Sequence, residues 1–219
     1  MQSILRLNIC RPLFFAQENK RRKKWTDQDG ERIGKGKGQR ERTSTWNVSG
    51  IRDKEPEIIE FMRRWRVPVM GISECRRKGT GIQQVHEDYV LIWSGVNVTA
   101  RATHGVGFIL HPDTAKNVLE TEFISERIIK IRVGGEQNIL NFIQAYAPCN
   151  DTYNEEQKEE FFEKMADTLS TVPDGEELVV MGDFNGRVGK RRAPWDQHLG
   201  PHSDTNTECN YNGEQLLAL

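Results

Sequence analysis

The 219-residue chain has no apolar run near the length of a membrane span. Ile4 to Phe15 is interrupted by Arg6 and Arg11 and lacks a small-residue cleavage signal, so neither a spanning helix nor a secretory signal is expected. Its four cysteines (Cys10, Cys75, Cys149, Cys209) show no C-x-x-C spacing. That argues against a structural zinc or a disulfide framework and favours a reducing compartment, nuclear or cytoplasmic. There is no internal repeat and no Gly-rich phosphate loop.

Net charge is nearly absent too, at -1, but that figure hides an asymmetry. Residues 1–44 carry 12 Lys or Arg against 5 Asp or Glu, and the rest of the chain carries 19 against 27. A basic arm precedes a mildly acidic body. Residues 16–44 are too polar to offset the entropy of ordering, which predicts a disordered extension over 1–44 and a folded domain over 45–219. Lys20 to Lys24 suits a nuclear import signal, a phosphate-binding arm or a plain solvated tail.

What is present is an alternation of strands and helices. Thr45 to Val48, Val67 to Ser73, Tyr89 to Trp93, Gly105 to Leu110, Arg127 to Val133 and Asn138 to Tyr146 read as strands, with a polar loop over Thr99 to His104. Glu55 to Arg66 reads as a helix capped by Asp53, with Pro56 in its first turn and a stripe of Ile58, Ile59, Met62 and Trp65. Glu155 to Thr171 is amphipathic through Phe161, Phe162, Met165, Ala166 and Leu169, and a last helix is expected from Gly213 to Leu219. The pattern predicts an α/β fold with a mixed sheet or paired sheets rather than an all-parallel one.

The stretch from Glu177 to Gly189 organises the rest. Leu178 to Met181 has the composition of a strand buried on both faces, and it stops at Gly182. Asp183, Phe184 and Asn185 follow, placed where α/β sheets bind ligands. Other strand ends carry Asn47, Glu74, and Tyr146 with Asn150. If these ends converge, they supply two carboxylates, three carboxamides and a phenol. That set suits phosphodiester hydrolysis: carboxylate oxygens hold a hard divalent ion, carboxamides and phenol donate to phosphate oxygens, and a second carboxylate handles a proton. Arg76, Arg77, Lys78 and Arg187 flank these positions and could hold neighbouring phosphates.

Thr-Trp-Asn-Val at 45–48, Gly-Ile-Ser-Glu at 71–74, Gln-Ala-Tyr-Ala-Pro-Cys-Asn at 144–150 and Met-Gly-Asp-Phe-Asn at 181–185 resemble the successive motifs of the endonuclease/exonuclease/phosphatase superfamily. Within it the chain is similar to the apurinic-type endonuclease domain of non-LTR (LINE) retrotransposons. Gly-Val-Gly-Phe at 105–108 and Ser-Glu-Arg-Ile-Ile at 125–129 fit as well. The resemblance implies a four-layer α/β sandwich, DNA as partner, Mg²⁺ (or Mn²⁺) as cofactor, and a reverse transcriptase domain in a parent element. It implies Glu74 as metal ligand with Asn47 beside the ion or phosphate, and Tyr146 and Asn150 on the scissile phosphate. Asp183 would position or activate water, or protonate the leaving group, with Asn185 in support.

The family pattern ends in a Ser-Asp-His motif that supplies a histidine to the attack on phosphate; this chain has none. Ser203-Asp204 is followed by Thr205, and His198 and His202 are the histidines after the core motif. His86, His104 and His111 fall in expected surface loops. Ser49 stands where repair-type members often have an aspartate. The resemblance therefore implies a domain cut short at its C-terminus, with weak or no catalysis. The competing readings are an inactive remnant that binds nucleic acid or protein, and a phosphatase of phospholipids or inositol phosphates.

Overall fold

Two β-sheets stack face to face between two long helices. The computed structural model describes residues 42–134, 138–149, 155–190, 192–195, 199 and 208–219. The first sheet holds β1 (Thr43–Asn47), β2 (Val69–Ser73), β3 (Thr80–Gln84), β4 (Val90–Ser94) and β5 (Val106–Leu110), in the order β1-β2-β5-β4-β3. The second holds β6 (Val118–Ser125), β7 (Ile128–Gly134), β8 (Ile139–Tyr146) and β9 (Glu177–Asp183), in that order. Helix α1 (Glu55–Trp65) links β1 to β2, and α3 (Glu155–Ser170) links β8 to β9. The short α2 (Pro112–Ala115) follows β5, and α4 (Tyr211–Ala218) ends the chain.

Each sheet thus contains one parallel pair joined through a helix, β1 with β2 and β8 with β9, while its other pairs are antiparallel. A parallel pair needs such a crossover, and both of its strands point the same way. The two parallel pairs face one another, β1 against β9 and β2 against β8. Four strand C-termini therefore gather at one rim.

Period-two alternation makes the layers. In β2, Val69 faces the other sheet, while Met70 and Ile72 face α1, where Ile58, Ile59 and Met62 are buried. In β8, Phe142 points between the sheets, whereas Ile143 and Ala145 meet Phe161, Phe162 and Met165 of α3. Each such apolar side chain contributes about 1.5–3 kcal/mol on burial. The result is the expected four-layer sandwich, and no helix among the described residues is long and apolar enough to cross a membrane.

The local departures have physical reasons. Asp53 does not cap α1: it sits at φ 63°, Lys54 occupies the capping position, and its side chain makes no capping bond. Trp65 leaves the buried stripe at 38% exposure and leans its ring toward Phe61. Only Val180 and Met181 of the Leu178–Met181 run are buried, because β9 pairs on one side alone among the described strands. Strands β3 (TGIQQ) and β6 (VLETEFIS) lie at sheet edges, where polar residues replace the apolar signal. The final helix begins at Tyr211, because Asn210 caps it through a bond from the Gly213 N–H.

Candidate active site

The rim collects Asn47 from the end of β1, Glu74 just past β2, Tyr146 from the end of β8 and Asp183 from the end of β9. Tyr146 and Asp183 are directly in register. Asn47 Nδ2 joins the two carboxylates, donating to Glu74 Oε1 at 3.0 Å and to Asp183 Oδ2 at 3.1 Å. The Tyr146 hydroxyl donates to the same Glu74 oxygen at 2.9 Å, and Arg76 Nη2 donates to Glu74 Oε2 at 2.9 Å. Asp183 Oδ1 accepts the Asn185 backbone N–H at 3.1 Å, and Asn185 Nδ2 donates to the Ala147 carbonyl at 2.8 Å. Five of the expected catalytic residues, and Arg76 with them, thus form one bonded cluster. Asn150 lies outside the described residues.

Burial would raise the Glu74 carboxyl, but the bonds from Asn47, Arg76 and Tyr146 outweigh it and hold the pKa below its ordinary value. Tyr146 is pushed above the ordinary phenol range, first by burial and then by its bond to Glu74 and the charges of Glu74 and Asp183. It stays a neutral donor through the physiological range. Backbone geometry is unusual here as well: Glu74, Arg76 and Asn185 sit at φ 53°, 51° and 47°, a left-handed conformation that costs a non-glycine residue energy and collects at functional sites. Gly182 turns β9 into the site at φ 143°, and a Cβ there would fall 2.0 Å from the Ala145 carbonyl oxygen.

The flanking cations divide. Arg76 is tied to Glu74 and Arg187 is exposed. Arg77 turns into the body instead, bonded to Glu55 and Gln83 at 3.2 Å and stacked 4.7 Å from the Trp93 ring centre. Lys78 donates to the Val98 carbonyl at 3.0 Å. The described histidines stay away from the cluster. His86 pairs with Glu87, and His111 caps α2. His104 is more enclosed than a surface-loop residue, bonding Thr103 and approaching Glu126, whose carboxyl is pulled down to about 2 chiefly by that histidine. His198 and His202 lie outside the described residues.

A second tier carries no signal that motif reading assigns. Gln144, fully buried between the sheets, donates to Thr45 Oγ1 at 3.2 Å and to Ser73 Oγ at 2.9 Å, fixing the two sheets beneath the rim. Arg127 is 8% exposed, donates to the Tyr146 carbonyl at 3.1 Å and lies 5.3 Å from its ring centre. Both stand inside the motif text quoted above, yet their partners become visible only once the strands are paired.

Two carboxylates bridged by one amide form a donor set that suits a cation. Magnesium commonly takes one or two carboxylates and keeps several waters, so the Glu74 carboxylate fits it, whereas the Asn47 carboxamide oxygen accepts the Ser49 N–H at 3.2 Å and would reach an ion only with its amide turned over. No cluster of three His, Cys, Asp or Glu side chains competes for an ion among the described residues. Thiolate- or imidazole-preferring metals are poorly served by these oxygens.

No protein-family profile matches the chain. It is 28% identical over 152 residues to craniofacial development protein 2 of Bos taurus and 27% identical to that of Tragulus javanicus. Each alignment covers 68% of this chain and 25% or 26% of the relative, so the chain spans about a quarter of these relatives' length. Among solved structures, the catalytic domain of Xenopus laevis APE2 superimposes with a TM-score of 0.52 at 16% identity, over 78% of this chain and 65% of that one. An AP endonuclease from Archaeoglobus fulgidus gives 0.48 at 18% identity, over 64% and 55%.

Proposed function

From the premise that this chain has the fold of the endonuclease/exonuclease/phosphatase superfamily, we propose that it is a Mg²⁺-dependent phosphodiester hydrolase of the retrotransposon DNA-nicking class. The observation that carries this reading is the bonded cluster of Asn47, Glu74, Tyr146, Asp183 and Asn185 at one sheet rim. Glu74 would hold the ion, for which Mn²⁺ is a substitute, with the Asn47 carboxamide joining it once its amide turns over, and the bound ion would supply charge neutralisation at the phosphoryl oxygens. Asp183 orients the attacking water or protonates the leaving oxygen. Tyr146 and Asn150 supply donors to the phosphate, Asn185 supports Asp183 through its backbone N–H, and Arg76, Lys78 and Arg187 hold the neighbouring phosphates. Arg77 remains a weaker candidate for that role, given its partners in the body.

Turnover by this 219-residue chain is weak in this reading, because its sequence has no Ser-Asp-His motif to supply the histidine that the resemblance calls for. A second reading, a nucleic-acid-binding module without catalysis, draws on Arg76, which already places a cation on Glu74. Nicking of supercoiled plasmid in Mg²⁺ by the chain and by Glu74→Ala and Asp183→Ala separates the two. Slow nicking that both substitutions abolish is the expected result. Equal nicking by all three, or none from folded parent that still retains DNA, overturns the catalytic reading. A parent reverse transcriptase domain belongs to the same proposal.

A further inference from the structure

The loop that carries Asp183 and Asn185 is pinned from outside the cluster. Asn210, which caps α4, uses all of its side chain on that loop and on its own helix. Its Oδ1 accepts the Arg187 N–H at 2.8 Å and the Gly213 N–H at 2.9 Å, and its Nδ2 donates to the Asn185 carbonyl at 3.0 Å. Its backbone N–H adds a bond to the Arg187 carbonyl at 3.0 Å. Asn212 is fully buried, and its Nδ2 donates to the Phe184 carbonyl at 3.0 Å and to the Pro148 carbonyl at 2.8 Å. One amide therefore joins the loop after β9 to the loop after β8. Gly213 permits the approach, because a Cβ there would lie 2.0 Å from the Arg187 carbonyl oxygen.

We propose that Asn210 and Asn212 are positioning residues, and that the start of α4 is a brace holding the Asp183–Arg187 loop in the left-handed turn the site requires. This rests on the function proposed above, but the brace itself is a property of the loop. Asn185 at φ 47° is strained and, left alone, would relax. The carbonyls of Phe184, Asn185 and Arg187 and the N–H of Arg187 are all engaged by this two-asparagine segment, which over-determines the turn. A helix cap alone needs only the Asn210 oxygen; the Nδ2 donation to Asn185 and the Asn212 bridge lie outside capping.

That division gives the test. Asn210→Asp keeps the capping oxygen, since Asp caps as well as Asn, but loses the donor to Asn185. Asn210→Ser does the same without adding charge. Amide hydrogen exchange is measured on the full chain by mass spectrometry or NMR, together with plasmid nicking and thermal melting. The brace predicts exchange about five- to tenfold faster at the bonded amides of Asn185 and Arg187 in both variants, with the α4 amides and the melt little changed. In the same variants kcat falls and KM holds. Unchanged exchange at Asn185 and Arg187 in either variant overturns the brace, as does exchange that rises equally through α4, which would make Asn210 a cap only. If the parent fails to nick while exchange responds as stated, the function falls and the brace stands.

Discussion

Arg76 and Tyr146 meet on one carboxylate, each bonded to a different oxygen of Glu74, and this makes Glu74 the residue most sensitive to change. A divalent ion at Glu74 would compete with the Arg76 guanidinium for the same charge. The pair is partly exposed, 48% on the arginine side, and such pairs are worth about 0.2–1 kcal/mol. Arg76→Ala is therefore expected to tighten Mn²⁺ binding by up to about fivefold, read directly by electron paramagnetic resonance of the free ion. Weaker binding in the variant would mean that Arg76 helps to build the ion site. Tyr146→Phe removes a preorganised donor from the rim while keeping the ring under Arg127. It is expected to lower kcat on the order of 10²-fold with little change in melting temperature. Both effects concern single side chains on a scaffold left intact.

At the scale of elements, the turn at Gly182 is the least tolerant position. Gly182→Ala sets a Cβ against the Ala145 carbonyl and forces alanine to φ 143°, so a loss of about 2 kcal/mol or more is expected in urea unfolding. The other end of β9 has its own clamp: Arg132 of β7 grips Glu176 with three bonds, Nε donating at 2.9 and 3.2 Å and Nη2 donating as well, and Asn141 of β8 donates to the same carboxylate at 2.9 Å. The Arg132 bond is the main cause that pulls the Glu176 carboxyl from its ordinary 4.5 down to about 2. Because the folded value is depressed, this stabilisation is present above about pH 4.5 and fades as pH falls toward 2. The melting temperatures of the parent and Glu176→Gln should thus differ at neutral pH and converge through that window. Such clamps were not legible in the sequence, because Arg132 and Glu176 meet only when strands 44 residues apart in the chain are paired. The helices and the buried strands were legible, since Met70, Ile72, Phe161 and Met165 repeat with the period of their element. The edge strands β3 and β6 were not: Gln83, Gln84, Glu120 and Glu122 mask the strand period there. Site residues followed the same division. Asn47, Glu74, Tyr146 and Asp183 stand at strand ends, where a polar residue after an apolar run is conspicuous. Gln144 and Asn212 act through backbone and side-chain partners that no spacing reveals.

Over the whole molecule, charge is divided between the two ends of its problem. The body beyond residue 44 carries 19 basic against 27 acidic residues, so at long range it repels a polyanion even though its rim gathers hydrogen-bond donors. The first 44 residues reverse that sign, with five consecutive cations at Lys20 to Lys24. Each phosphate neutralised on duplex DNA adds about 0.9 to the slope of log affinity against log salt. Deleting residues 1–41 is therefore expected to cut that slope by up to about 4, and to weaken DNA binding most at low salt. The deletion keeps Arg42, whose guanidinium donates to the Trp65 carbonyl at 3.2 Å beside the start of β1, so the melting temperature should hold. Fluorescence anisotropy with one duplex across a salt series measures the slope. An unchanged slope would move the electrostatic contact to Arg76, Lys78 and Arg187 on the rim, and their alanine variants would then carry the salt dependence instead.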